Sequence, residues 1–265
     1  MFNILVAVDR SLESSFALRT ACLFGPENKI QPVNVFEAPG RDISFGAGWA
    51  RKHWERETSK QAQGNIEVLL VAERNQCPNI EQPVVLTGEP IHEMARIFWE
   101  ESYDLLVAGV PYRGWESLTL SRKFSQVAKK AHKEIPLLLV RQLATIKRVV
   151  ALTDGSGSAE RALGLMVRLS TILPHDMTLI GLSRDGHSGT ESEKLHLERG
   201  LAILKEKGMD AEGKLASTLG PDGLIQELKS FDLVVKPVLT DERYNYLHDL
   251  LEHEIEAVLF YVGVN

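Results

Sequence analysis

An internal repeat constrains this chain more than any other feature of its sequence. Residues 2–9 (FNILVAVD) form an apolar run that stops at an aspartate, and a small-residue turn and a helical period follow. Residues 147–154 (KRVVALTD) repeat the pattern. A strand that is apolar on both faces is typical of the middle of a parallel sheet covered by helices on both sides. The repeat therefore predicts two homologous α/β domains.

The repeat continues further along both copies. A glycine turn, an amphipathic helix, an aromatic–Asp pair and an apolar strand follow one another in residues 84–109 and again in residues 216–237. The number of residues that separates a landmark in the first copy from its match in the second decreases along the chain. The second copy has therefore lost residues. We predict a first domain at residues 1–143 and a shortened second domain at residues 144–265.

Strands alternate with helical segments in each copy, which predicts a small doubly wound, Rossmann-like parallel sheet of five strands with about four helices. In the first copy, strands are predicted near residues 2–8, 30–36, 65–71, 104–109 and 136–141. In the second copy, they are predicted near residues 147–153, 177–182, 209–216, 232–236 and 256–262.

Composition excludes several classes of protein. The net charge of −6 argues against a broad electrostatic grip on nucleic acid. Apolar runs fall far short of the ~20 residues that a membrane-spanning helix needs, and no signal peptide is visible. The two cysteines, Cys22 and Cys77, are too few for a disulfide framework and lack metal-ligand spacing. We expect Cys22 in the core, a cytoplasmic protein, and neither membrane nor nucleic acid as a partner.

In the order, spacing and duplication of these segments, the sequence resembles the universal stress protein family in its tandem form. The resemblance is carried by ILVAVDRS, TGEPIHEMARIFWEESYDLLVAG and IPLLLVR in the first copy, and by VVALTDGSGSAERAL and LGPDGLIQELKSFDLVV in the second. It implies two α/β domains of the adenine nucleotide alpha hydrolase-like kind. It also implies a pseudo-dimer formed through the last strands, Pro136–Arg141 and Glu256–Val262, and leaves a further homodimer open.

Some members of the family bind ATP, through a phosphate loop of the form Gly-x2-Gly-x9-Gly-Ser/Thr. In the first copy this loop begins at Gly109 but departs from the pattern, with Tyr112 at the second glycine and Arg122 and Lys123 at the last two positions. The basic pair either binds phosphate or forms a solvated start to a helix. The candidate nucleotide site of the first domain is Ala7, Val8, Asp9, Val35, Gly109, Val110, Arg122, Lys123 and Ser125.

In open α/β sheets, ligands bind at the carboxyl ends of the strands where the strand order reverses, which places Asp9 and Asp154 at pocket mouths. In the second copy Pro237 replaces the loop glycine, so we predict no ATP binding there. No metal site is predicted, because His248 and His253 are spaced unlike zinc ligands on a helix.

Three functions follow from these features. The first is a non-catalytic, stress-linked binding or regulatory module, with a homodimer or a protein partner. Such a partner could contact the tryptophan-bearing segment 37–64. The second is a switch that holds ATP or a related nucleotide in the first domain only. The third is a nucleotide hydrolase, for which the sequence offers no base–nucleophile pair.

Overall fold

The computed structural model describes residues 1–37, 49–110, 116–143, 146–169, 176–183, 190–238, 247, 251, 255 and 257–262. The chain divides into two compact units, Met1–Gly109 and Val110–Asn265. No helix among the described residues combines the length and the apolar composition that crossing a bilayer requires.

The first unit is a four-stranded parallel sheet with three helices among its described residues. In chain order its elements are β1 (Asn3–Ala7), α1 (Leu12–Cys22), β2 (Lys29–Phe36), α2 (Trp49–Arg74), β3 (Val84–Thr87), α3 (Pro90–Glu100) and β4 (Leu105–Gly109). The strand order is β3-β2-β1-β4, and all three pairings are parallel. The direction of winding therefore reverses at β1.

Local sequence explains where the first unit's elements begin. The β1 side chains of Ile4, Leu5 and Val6 are completely buried, as a central strand requires. Helix α1 begins after Ser11, whose hydroxyl accepts a hydrogen bond from the Ser14 amide at 3.2 Å. Such a cap satisfies one of the amide groups that a helix leaves unpaired at its start.

The second unit holds the remaining elements. In chain order they are α4 (Glu116–Ala131), β5 (Ile135–Val140), β6 (Arg148–Thr153), α5 (Gly157–Leu169), β7 (Asp176–Gly181), α6 (Thr190–Glu206), β8 (Glu212–Leu215), α7 (Ala216–Lys229), β9 (Leu233–Lys236) and β10 (Ala257–Val262). The strand order is β5-β10-β9-β6-β7-β8. The β5–β10 pair is antiparallel, with Val140 opposite Ala257, and the β10–β9, β9–β6, β6–β7 and β7–β8 pairs are parallel.

The predicted α/β fold and the pairing of the two last strands are confirmed. One predicted strand is wrong: residues 65–71 lie inside helix α2, and the third strand is β3. Strand β5, predicted as the last strand of the first domain, lies in the second compact unit. The division of the repeat at residues 143 and 144 stays a prediction.

The interpretation of the cysteines is also wrong. Cys22 and Cys77 form a disulfide, although 55 positions separate them in the sequence. Cys22 ends α1, and Cys77 follows the last turn of α2, so packing of the two helices brings their Cα atoms to 5.9 Å. A pairing that depends on tertiary packing leaves no local signal in the sequence.

Candidate ligand-binding site

A cleft of about 390 Å³ opens at the carboxyl end of β1 in the first unit. Strand β1 lies between β2 and β4, so the cleft occupies the point where winding reverses. Two sides of the cleft come from the strand ends and the start of α1, and a third comes from α2. Its lining residues are Asp9, Arg10, Ser11, Asn34, Ala62 and Ile66.

Asp9 is held in place by the first turn of α1. Its Oδ1 accepts hydrogen bonds from the Ser11 amide and from the Ser14 hydroxyl, both at 2.7 Å. The Asp9 amide in turn donates to the Ser14 hydroxyl at 2.9 Å. No described residue bonds to the second carboxylate oxygen, Oδ2, and the side chain is exposed. Asp9 therefore presents a fixed acceptor to the cleft.

The same contacts determine the charge of Asp9. Although Asp9 is exposed, partial loss of water around its carboxyl group is the largest single effect and raises the pKa, but the hydrogen bonds from Ser11 and Ser14 together outweigh it and lower the pKa below the ordinary value. A lowered pKa keeps the carboxylate ionised at neutral pH. A general base works best with a pKa near the operating pH, so Asp9 is suited to accepting hydrogen bonds and poorly suited to removing protons.

Five of the six lining residues were not predicted as site residues: Arg10, Ser11, Asn34, Ala62 and Ile66. Asn34 lies near the end of β2, and its amide nitrogen donates to the Val8 carbonyl at 2.6 Å, which fixes the side chain beside the cleft. A polar residue in an otherwise apolar strand end was the available signal for Asn34. Ile66 was missed because residues 65–71 were interpreted as a strand, and Ala62 because the packing of α2 against the sheet leaves no local signal in the sequence.

Packing requires a glycine at position 109, whether or not a ligand binds. It ends β4 against the first turn of α1, and a Cβ atom at this position would overlap the Glu13 carbonyl. Of the other predicted site residues in the first unit, Ala7 and Val35 are half-buried, and Val8 is buried. Asp9 is thus the predicted residue that directly lines the cleft.

The remaining predicted residues belong to the second unit. Val110 is buried, and its amide donates to the Val140 carbonyl at 2.8 Å. Arg122 and Lys123 are exposed on α4, and Ser125 is half-buried. Helix α4 begins at Glu116, so the basic pair lies in its second turn rather than at a helix start. Tyr112, like His248 and His253, lies outside the described residues.

The corresponding edge of the second unit is filled. Asp154 follows β6 as Asp9 follows β1, but it is only 2% exposed. The imidazole of His196, on α6, lies over Gly155, where a Cβ atom would overlap the ring. The His196 Nδ1 is 3.0 Å from the Leu182 carbonyl, which anchors the ring. Helix α6 therefore closes the strand ends that remain open in the first unit.

This chain is similar to known proteins in structure, although no protein-family profile and no curated protein matches its sequence. A universal stress protein from Archaeoglobus fulgidus matches 98% of this chain and 95% of its own, with a TM-score of 0.60 and 14% identity. The chain has the universal stress protein fold.

Two further structures share the universal stress protein architecture over the full length. A functionally unknown protein from Pseudomonas aeruginosa matches with a TM-score of 0.58 and 13% identity, over 98% of this chain and 92% of its own. The cytoplasmic domain of a prokaryotic cation chloride cotransporter matches with a TM-score of 0.55 and 10% identity, over 99% and 95%. Because each match spans nearly all of both chains, the universal stress protein fold extends through both copies of the repeat.

Proposed function

We propose that this chain is a tandem universal stress protein that acts as a non-catalytic binding and regulatory module in the cytoplasm. The observation that carries the proposal is the open cleft beside Asp9, at the reversal point of the first unit's sheet. Its volume of about 390 Å³ lies within the usual range for small-molecule sites. Among the described residues, the buried Asp154 beneath His196 supports placing the ligand at the first unit's strand ends rather than at the matching ends of the second unit.

The chemistry of the cleft favours binding over catalysis. Asp9 has a lowered pKa and is engaged by two hydroxyl-bearing residues, which supports a role as an acceptor. Among the described residues, no group of three His, Cys, Asp or Glu side chains could hold a metal ion. A hydrolase would need an activated nucleophile or a metal-bound water.

A nucleotide switch is the second candidate, and the ionised Asp9 at the reversal point favours it. A carboxylate there can accept hydrogen bonds from the hydroxyl or amino groups of a nucleoside. The predicted role of Arg122 and Lys123 with phosphate belongs to this candidate. ATP is the cofactor that it requires.

Mass spectrometry of small molecules released from freshly purified protein, together with calorimetric ATP titration, tests both candidates. One nucleotide per chain supports the switch. In that case Asp9→Asn lowers ATP affinity by about tenfold, the value of one charge-assisted hydrogen bond. Asp222→Asn, an exposed carboxylate on α7, serves as the control and leaves affinity unchanged.

The basic pair is tested in the same titration. Arg122→Ala combined with Lys123→Ala weakens ATP binding markedly if these residues bind phosphate, and unchanged affinity removes that assignment. Absence of both a released nucleotide and binding heat excludes the switch and leaves a module that recognises another protein.

A further inference from the structure

The Cys22–Cys77 disulfide joins the two helices that line the cleft. At the cleft, the start of α1 contributes Ser11, and α2 contributes Ala62 and Ile66. At the opposite end, Cys22 closes α1, and Cys77 lies three residues after α2 ends. The helices therefore run side by side in the same direction, with the ligand cleft at one end and the disulfide at the other.

A polar contact lies directly beside the disulfide. Arg19, one turn before Cys22, donates to the carboxylate of Glu73 at 2.9 Å, and the Ser15 hydroxyl donates to it at 2.8 Å. The Cys77 amide donates to the Glu73 carbonyl at 3.0 Å. These hydrogen bonds join α1 to the end of α2 without the disulfide, so they allow both a cross-linked and an uncross-linked form to stay folded.

The surroundings of Cys77 already contain a partner for a thiol. The Oδ1 atom of Asn79 is 3.1 Å from the Cys77 sulfur. A disulfide sulfur carries no hydrogen, whereas a thiol at this position can donate one to Asn79. The Asn79 amide nitrogen donates to the Asn28 carbonyl at 2.5 Å, which fixes the orientation of the side chain. Asn79 therefore lies within reach of a thiol at Cys77, and the contact that orients its side chain does not involve the disulfide.

The two cysteines differ in exposure. Cys77 is 4% exposed, whereas Cys22 is half-buried at the end of α1. We therefore assign Cys22 as the residue that an incoming thiolate attacks. The chain contains two cysteines, so neither has another intramolecular partner. Disulfides in a reducing compartment are usually transient and redox-sensing rather than permanent staples.

We propose that Cys22 and Cys77 form a reversible redox site that controls how firmly α2 is held along the cleft. A thiolate of a dithiol attacks the Cys22 sulfur, the Cys22–Cys77 bond breaks, and Cys77 leaves as a thiolate that takes a proton. The second thiolate of the reagent displaces Cys22, which also takes a proton. The protein disulfide gains two electrons and two protons, and the dithiol becomes a disulfide.

This site goes beyond the proposed function but rests on its cytoplasmic location, and its test uses no nucleotide. The full-length chain is prepared oxidised and after treatment with dithiothreitol, and thiols are counted by alkylation and mass spectrometry. We expect none in the oxidised form and two in the reduced form, with the same circular dichroism. Amide hydrogen exchange in residues 60–74 of α2 should become about tenfold faster on reduction, because local opening loses a constraint.

Cys22→Ser provides the matched control. Its α2 exchange should equal that of the reduced wild-type chain and should not respond to dithiothreitol. Two reactive thiols in the oxidant-treated protein, or equal exchange in both forms, would overturn the proposal. Global unfolding on reduction would also overturn it, because the bond would then be a permanent staple. None of these outcomes bears on whether the cleft holds a nucleotide.

Discussion

Arg19 on α1 and Glu73 on α2 form an ion pair in which a single N–H group contacts both carboxylate oxygens. The Nε of Arg19 donates to both carboxylate oxygens of Glu73, at 3.1 and 2.9 Å. The Glu73 side chain is 5% exposed, whereas that of Arg19 is 42% exposed. The pair therefore satisfies a buried carboxylate with a cation that still reaches solvent.

Replacing Arg19 tests the energetic weight of this pair. Arg19→Met leaves the buried Glu73 carboxylate with Ser15 as its remaining side-chain donor, and we expect the free energy of unfolding to fall by about 1–3 kcal/mol. Urea unfolding measures the change. Arg96→Met, which removes the ion pairs of an exposed arginine with the half-buried Glu93 and the exposed Glu100 on α3, should cost less. Equal effects of the two substitutions would contradict the prediction.

The pH dependence of stability reports the charge of Glu73. Burial, the largest single effect, raises its pKa, but hydrogen bonds from Arg19 and Ser15 and the charge of Arg19 together lower it below the ordinary 4.5. Because the folded-state pKa is lowered, the stabilisation is complete above 4.5 and is lost as the pH falls through the folded-state value. We expect the difference in unfolding free energy between wild type and Glu73→Gln to stay constant above pH 4.5 and to narrow as the pH falls below it. A difference that widens in acid would exclude this assignment.

Substitution by alanine should change the free energy of unfolding in opposite directions at Gly109 and Gly64. A Cβ atom at Gly109 overlaps the Glu13 backbone, so Gly109→Ala should destabilise the chain by about 1–3 kcal/mol. At Gly64, inside α2, nothing lies within 4 Å of the added atom. Gly64→Ala should therefore stabilise the chain by about 0.5–1 kcal/mol through helix propensity. Thermal unfolding distinguishes the two signs, and a destabilising Gly64→Ala would argue against the placement of α2.

Filling the cleft tests whether it is the ligand site. Ala62→Phe adds a ring at the α2 wall and should abolish the ATP binding that the nucleotide-switch candidate requires, while circular dichroism stays unchanged. Gln63→Phe places the same ring at the neighbouring, exposed position and should leave binding intact. Calorimetry with ATP measures both variants. Binding that survives Ala62→Phe would place the nucleotide elsewhere.

Removing the disulfide should cost stability without unfolding the chain. The bond closes a loop of 55 positions, for which chain entropy predicts a loss of about 2–4 kcal/mol in Cys22→Ser combined with Cys77→Ser. Urea unfolding of the oxidised wild type and of the double variant gives the difference. Reduced wild type should match the variant, and a gap between them would show that serine disturbs the packing itself.

Sequence patterns predicted the parts of the fold that continuous apolar strands determine. Strands β1, β4 and β5 are buried along most or all of their lengths, so each appears in the sequence as an uninterrupted apolar run. Residues 65–71 contain a similar run but are helical. Within this run Ile66 and Leu70 are buried, whereas Val68 and Val71 are exposed at 77% and 58%. Burial at positions i and i+4 indicates a helix. The sequence did not reveal this pattern, because apolar residues also occupy the exposed side of α2.

The candidate site was predictable where a short local pattern defines it. Asp9 follows an apolar strand and precedes a capped helix, so its position at the reversal point follows from sequence and general rules. The wall formed by Ala62 and Ile66 depends on how α2 packs against the sheet. The closing of the second edge depends on where α6 places His196. Neither arrangement has a local signal.

The pairing of β5 with β10 has a consequence for synthesis on the ribosome. Residues 135–140 are synthesised before the strand that hydrogen-bonds to them, residues 257–262. Until that strand is made, β5 lacks its antiparallel partner, and an unpaired apolar strand edge favours association with other chains. The β5 edge is therefore exposed for as long as synthesis of the intervening residues takes.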